Sequence, residues 1–210
     1  MKLLKALATV AGITGLSRIA GFARDILMAA ILGAGAVTDA FLVALKLPNL
    51  FRRITAEGAL SVSFVPTYSE KIEKQGEAEA QSYANKVAAL LIGLLLPLSV
   101  FIMWGMPFII PLIAPGFSGE DNVYRFALAV DFSRITFPYL LLMSLTALLG
   151  GMLHAHKRFA PFAFAPVLFN LCLIVALLLF AAQPHITETA AHILVWAVTL
   201  SGVLQLLWLY

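Results

Sequence analysis

A helical bundle embedded in a membrane is the fold class this sequence predicts, and three observations predict it. Hydrophobic residues make up 61% of the 210-residue chain and charged residues only 12%, against about 45–50% and 25% in soluble domains. Apolar runs such as 87–96 and 171–180 are continuous, whereas a membrane barrel would show alternating strands of about ten residues. The cations, finally, gather in every second connection, as the positive-inside rule requires. At roughly 20 apolar residues per crossing, the chain holds about six transmembrane helices and little else. A soluble catalytic domain is excluded.

The expected spans lie near 6–32, 36–58, 87–113, 126–152, 160–182 and 186–210. The first follows Lys2 and Lys5, like a secretory signal, but it runs into Arg18, Arg24 and Asp25 without a cleavage site and turns apolar again over 28–32. It reads as a retained, polar first helix. The second carries Asp39 near its outer end, where pairing with a first-helix hydroxyl or cation would close an external gate, and Lys46 in its middle; Pro48 removes a backbone donor and predicts a kink, and Arg52, Arg53 and Glu57 follow. Residues 67–81 form the markedly polar stretch, with Glu70, Lys71, Glu73, Lys74, Glu77 and Glu79. They predict a solvated cytoplasmic helix or loop with no site. The fourth span holds Arg134, which either lines an interior cavity or pairs with Asp131 one turn earlier. The fifth holds the single cysteine, Cys172, so neither an internal disulfide nor a cysteine metal cluster is available. His185 and His192 begin the sixth as packing residues. His154 and His156, beside Lys157 and Arg158, read as solvated loop cations with no carboxylate near them.

Orientation follows from the fourteen Lys and Arg residues. Nine of them, at 2, 5, 52, 53, 71, 74, 86, 157 and 158, lie at the N-terminus or in the second and fourth connections, which places the N-terminus in the cytoplasm. Arg125 is the one cation of the alternate connections. The net charge of +3 is therefore topological, and no nucleic-acid partner is expected. Arg18, Arg24, Lys46 and Arg134 remain inside spans or at their edges.

Thr14, Ser17, Arg18, Gly21, Arg24, Asp25 and Met28 fall on one broad stripe of the first helix at 100° per residue. Facing lipid, Arg18, Arg24 and Asp25 would together cost on the order of 8 kcal/mol, so they must face water, protein or ligand. Two readings stand: ion pairs that fix packing, or the wall of a water-filled cavity. In the second, the surplus of cations selects an anionic occupant, and phosphate or diphosphate suits arginine's bidentate fork.

These residues also carry a resemblance. Ser17-Arg18-Ile19-Ala20-Gly21-Phe22-Ala23-Arg24-Asp25, Gly33-Ala34-Gly35, Thr38-Asp39-Ala40-Phe41, Lys46-Leu47-Pro48-Asn49-Leu50-Phe51-Arg52-Arg53, Ala56-Glu57-Gly58-Ala59-Leu60-Ser61 and Phe64-Val65-Pro66 resemble the MurJ (MviN) family of bacterial lipid II flippases, within the multidrug/oligosaccharidyl-lipid/polysaccharide exporter superfamily. Ala114-Pro115-Gly116-Phe117, Ile135-Thr136-Phe137-Pro138-Tyr139 and Phe164-Ala165-Pro166 extend it. The resemblance implies a two-lobe exporter fold in the bacterial inner membrane, of which this chain is the N-terminal lobe with the second lobe absent. It implies transfer of an undecaprenyl-diphosphate-linked muropeptide to the periplasmic leaflet by alternating access. Carried onto this chain, Arg18, Arg24 and Arg52 would bind the diphosphate, while Ser17, Asp25, Asp39, Lys46, Glu57 and Arg134 would gate or balance charge. Lipid II, membrane lipids, a coupling ion and cell-wall synthesis proteins are the implied partners.

Other functions remain in view. Gly-x-Ser-x-Gly, His-Glu-x-x-His, Walker A and Gly-x-Gly-x-x-Gly motifs are absent from the sequence, so neither a catalytic residue nor a cofactor or metal is expected. An intramembrane transferase would need a clustered acidic metal site, yet Asp25 and Asp39 lie on different helices. An exporter of another lipid-linked oligosaccharide or anionic amphiphile would keep the arginines. A membrane scaffold for cell-wall synthesis would not need them.

Overall fold

The computed structural model describes residues 2–52, 62–117, 119, 122–181 and 187–210. Its described residues form eight α-helices and a short 3-10 turn: α1 (Lys2–Leu32), α2 (Ala36–Arg52), α3 (Val65–Gln75), α4 (Glu77–Ile113), the turn Pro115–Phe117, α5 (Val123–Thr136), α6 (Tyr139–Ala155), α7 (Ala160–Ala181) and α8 (Thr187–Leu209). Glycines make two of the reversals. Gly33 (φ 65°) ends α1 and Gly76 (φ 87°) separates α3 from α4, left-handed conformations that a side chain disfavours.

Among the described residues, four segments are long and apolar enough to cross a membrane: Glu77–Ile113, Val123–Ala155, Ala160–Leu179 and Glu188–Leu209. The stretch expected as the fourth span is two helices, because Phe137-Pro138 interrupts it between α5 and α6. Missing from those four are α1 and α2, the helices that carry Arg18, Arg24, Asp25, Asp39 and Lys46. The polar stretch 67–81 is shared by α3 and the first turns of α4, so α4 runs well beyond its apolar part. At 1.5 Å per residue its 37 residues span about 55 Å, more than the ~30 Å hydrocarbon layer.

The main core lies where α2 meets α5, α6 and α8, with α7 packed on α8 and α4 on α5. Phe41, Ala44, Phe132, Phe137, Leu140, Leu173, Leu177, Leu194 and Val198 are all buried there. Close helix approach replaces bulk where side chains are small: a Cβ on Gly202 of α8 would sit 2.8 Å from the Tyr139 ring of α6, and one on Gly150 of α6 would run into Phe162 of α7. A second cluster docks α3 onto α4 and α6 through Phe64, Tyr68, Ala80, Ala84 and Leu148, with Phe64 stacked on both Tyr68 and Tyr83. By contrast, α4 presents Leu94, Phe101, Trp104, Phe108 and Leu112 outward, as a helix facing lipid or further protein does.

Prolines open several helices, and neighbouring side chains close the gaps. Pro48 in α2 cannot donate to the Ala44 carbonyl, and the buried Thr136 hydroxyl at the end of α5 lies 3.1 Å from that oxygen. Pro107 in α4 likewise leaves the Met103 carbonyl without its regular donor, and Arg134 Nε donates to it at 3.0 Å. Beside the Phe137-Pro138 break, Thr199 of α8 donates to the Ile135 carbonyl at 2.6 Å. In lipid such repair matters, because no water is present to satisfy a freed backbone group.

Candidate functional site

The site is built along the seam between α1 and α7. In α7 the side chain of Asn170 interrupts an otherwise apolar helix, and it is buried against α1. Its Nδ2 donates to the Ser17 carbonyl at 3.0 Å, and its Oδ1 accepts from Arg24 Nη1 at 2.9 Å. Gly21 faces this amide across ordinary van der Waals distance. Ser17 therefore enters the site through its backbone.

Arg24 is held on three sides. Its Nε and Nη2 donate to Asp25 Oδ1 at 3.0 and 2.6 Å, Nη1 donates to Asn170, and the Phe169 ring lies 5.8 Å from the guanidinium carbon. Three of the five guanidinium N–H groups are thus committed, and the plane is fixed. The other two N–H groups have no partner among the described residues. The Arg24 side chain is 23% exposed and that of Asp25 55%, so the pair opens on its Asp25 side. Arg24 and Asp25 pair with each other, and Asn170 is the partner that α7 adds.

Arg18 and Lys46 are exposed and bond to none of the described residues. The stripe expected on α1 does not divide buried from exposed, because Leu16, Ile19, Phe22 and Ile26 are exposed as well. The contact with α7 takes only one edge of α1 into the bundle. Arg52 ends α2, but its side chain lies outside the described residues, as do Arg53, Glu57 and His185 altogether.

At the far end of α2, Asp39 sits in the first turn, where a carboxylate favours the helix N-terminus. Its Oδ2 is 3.4 Å from Arg125 Nη2 of α5, and Arg125 lies over the Phe117 ring at 5.4 Å. Asp39 was expected to meet a hydroxyl or cation of the first helix; its partner comes from α5, which packs directly on α2. Arg134 donates its Nε to the Met103 carbonyl, and Asp131, one turn earlier, lies 3.8 Å from His192 Nδ1 rather than against Arg134.

The histidines differ from the solvated pair expected. His154 packs against the rings of Phe159 and Phe162, and His156 Nε2 lies 3.8 Å from Glu77 Oε1, a carboxylate brought in by the start of α4. Among the described residues, no three His, Cys, Asp or Glu side chains gather as a metal site would require.

An all-helical, polytopic membrane protein with an arginine held on the polar wall of its first helix is the class this fold and site define. A family profile described as "Lipid II flippase MurJ" matches residues 28–210, and the chain belongs to that family. It is 42% identical, over its whole length, to a probable lipid II flippase MurJ of Rhizobium tropici and covers 39% of that protein. Against a lipid II flippase MurJ of Burkholderia cenocepacia it is 42% identical over 99% of the chain and 39% of the relative. A solved lipid II flippase MurJ in an inward closed conformation superposes with a TM-score of 0.76 at 26% identity, over 94% of this chain and 40% of that one. The chain thus spans about two fifths of the length of the relatives it matches.

Asn170 escapes a reading based on charges, since it has none. The signal that finds it is one amide in a helix whose other residues are apolar, where an isolated polar group needs a partner on another helix. Thr136 gives no such signal, because a threonine in a helix bonds its own backbone as readily.

Proposed function

We propose that this chain is the lobe of a lipid II flippase that provides the binding wall for the substrate's diphosphate. The protein lies in the bacterial inner membrane with its N-terminus in the cytoplasm, and six spans, near 6–32, 36–58, 87–113, 126–152, 160–182 and 186–210, form this lobe. Alternating access against a second lobe carries the head group from the cytoplasmic to the periplasmic leaflet. Arg18, Arg24 and Arg52 bind the diphosphate, with Lys46 adding positive potential. Asp25 and Asn170 orient Arg24, Ser17 anchors Asn170 to α1, and the Asp39–Arg125 pair closes the outer end, with Glu57 as a charge partner at the inner one.

The observation that carries this reading is Arg24, aimed by Asp25 and Asn170 with two N–H groups that no described residue takes, on the same helix as Arg18, which bonds to none of the described residues. Translocation requires no chemistry on the substrate. It needs a polar path for a head group that lipid excludes, and arginines keep their protons when desolvated. With the cytoplasm negative, outward movement of each negative charge is favoured by about 2.3 kcal/mol per 100 mV, so membrane potential is the proposed driver.

The test is outer-leaflet accessibility of the lipid-linked peptidoglycan precursor in cells depleted of their own flippase. The full-length protein that contains this chain restores accessibility, and Arg24→Glu in that protein abolishes it. A charge-reversed protein that still restores it would favour a membrane scaffold for cell-wall synthesis instead.

A further inference from the structure

The end of α5 acts on a neighbouring helix in a way that neither the fold nor the flippase reading requires. Thr136 is fully buried and its hydroxyl lies 3.1 Å from the Ala44 carbonyl of α2. That carbonyl is the one a helix would pair with the N–H of residue 48, and residue 48 is proline. The hydroxyl also reaches the Phe132 and Ser133 carbonyls of its own helix, at 3.1 and 3.3 Å, so its single proton is shared among three acceptors. Ala44 and Pro48 are themselves buried, so bulk solvent does not reach that carbonyl. Two residues earlier, Arg134 makes the same kind of bond to the carbonyl that Pro107 opens in α4. One helix end therefore braces two proline-broken neighbours.

What lies beyond Pro48 gives the brace its significance. Lys46 projects just before the break, and Asn49, Leu50 and Arg52 follow it on the short last stretch of α2. A proline opening without a fixed donor lets the two halves of a helix swing, since the bond that sets their angle is missing. We propose that Thr136 is a positioning residue: by donating to the Ala44 carbonyl it sets the direction in which α2 presents the segment from Asn49 to Arg52 to the diphosphate. The importance of that direction rests on the flippase reading, whereas the brace itself does not.

Both statements are tested separately in the full-length protein in lipid nanodiscs without substrate. Spin labels are placed at exposed Leu42, before the break, and at exposed Leu50, beyond it, each paired with a reference label at exposed Phe101 on α4, and the distances are measured by pulsed electron resonance. Thr136→Val keeps the shape and removes the donor. It should shift or broaden the Leu50 distance and leave the Leu42 distance unchanged, while Thr136→Ser preserves both. Adding Pro48→Ala returns a backbone N–H to Ala44, so the Leu50 distance should become insensitive to Thr136→Val in that background. An unchanged Leu50 distance in Thr136→Val, or an equal shift at Leu42, overturns the proposal. If Thr136→Val alone does not fold, the double variant with Pro48→Ala should, and its failure to fold also overturns it. Precursor flipping, assayed on the same proteins, then tests the flippase reading: no flipping by the wild type would remove that reading and leave the brace standing.

Discussion

At the scale of single residues, the molecule uses partners to turn costly charges into oriented ones. An arginine in a bilayer is expensive wherever it faces lipid, yet Arg24 sits between Asp25, Asn170 and the Phe169 ring with its plane fixed. Asn170→Leu removes both of its bonds and should destabilise the protein by about 1–2 kcal/mol, seen as a lower melting temperature in detergent, together with slower flipping. Arg24→Lys keeps the charge but loses the fork. It should retain most of the stability and lose roughly tenfold or more in flipping rate, the equivalent of about 1.4 kcal/mol, whereas equal rates would show that charge alone suffices. Much of this site was legible in the sequence because charged residues in an apolar helix stand out. Asn170 was not read, since an uncharged amide shows its importance only through the neighbour it meets.

Element by element, packing rests on close approaches and on the docking of α3. Gly202→Val would drive a side chain into the Tyr139 ring and Leu142, and such overpacking costs about 1–3 kcal/mol; a thermal unfolding curve no lower than wild type would contradict the tight α6–α8 contact. Tyr68, which buries α3 against α4, has its phenol pKa raised above 10.0, first by burial and then by the nearby Glu77 carboxylate. A raised folded-state value means that its contribution is fully present below pH 10.0 and is lost as pH rises through the higher folded value. The tyrosinate absorbance that Tyr68→Phe removes should therefore develop only above pH 10.0, and Glu77→Gln should bring it part of the way back. The interruption at Phe137-Pro138 was hidden inside one apolar stretch because hydropathy averages over a proline. A proline's effect depends on whether a neighbour repairs the carbonyl it frees, as Thr136 does for Ala44 and Arg134 for Met103.

For the whole molecule, the question is how two ends of one lobe are kept in step. Asp39 and Arg125 tie α2 to α5 at one end, while Thr136 ties the same two helices at the Pro48 break. An Asp39→Asn protein should flip its substrate more slowly, and the charge-swapped pair Asp39→Arg with Arg125→Asp should recover part of that rate, measured as precursor accessibility. Failure of the swap with both proteins folded would show that Asp39 acts outside this pair. Dissipating the membrane potential with an ionophore should slow the full-length protein, because the charge it moves outward then gains nothing from the field.

By itself the sequence determined the class of the protein. Apolar length and continuity, the sorting of cations and the motifs around Arg18, Arg24 and Pro48 are local properties, and they suffice for a helical membrane bundle of the MurJ family. Only the tertiary structure decided which helix holds Arg24, that Asp39 meets α5 rather than α1, that Arg134 serves a carbonyl of α4, and that His156 faces Glu77. The physical reason is that hydropathy and charge act along the chain, whereas a hydrogen bond or an ion pair depends on which helix packs beside which.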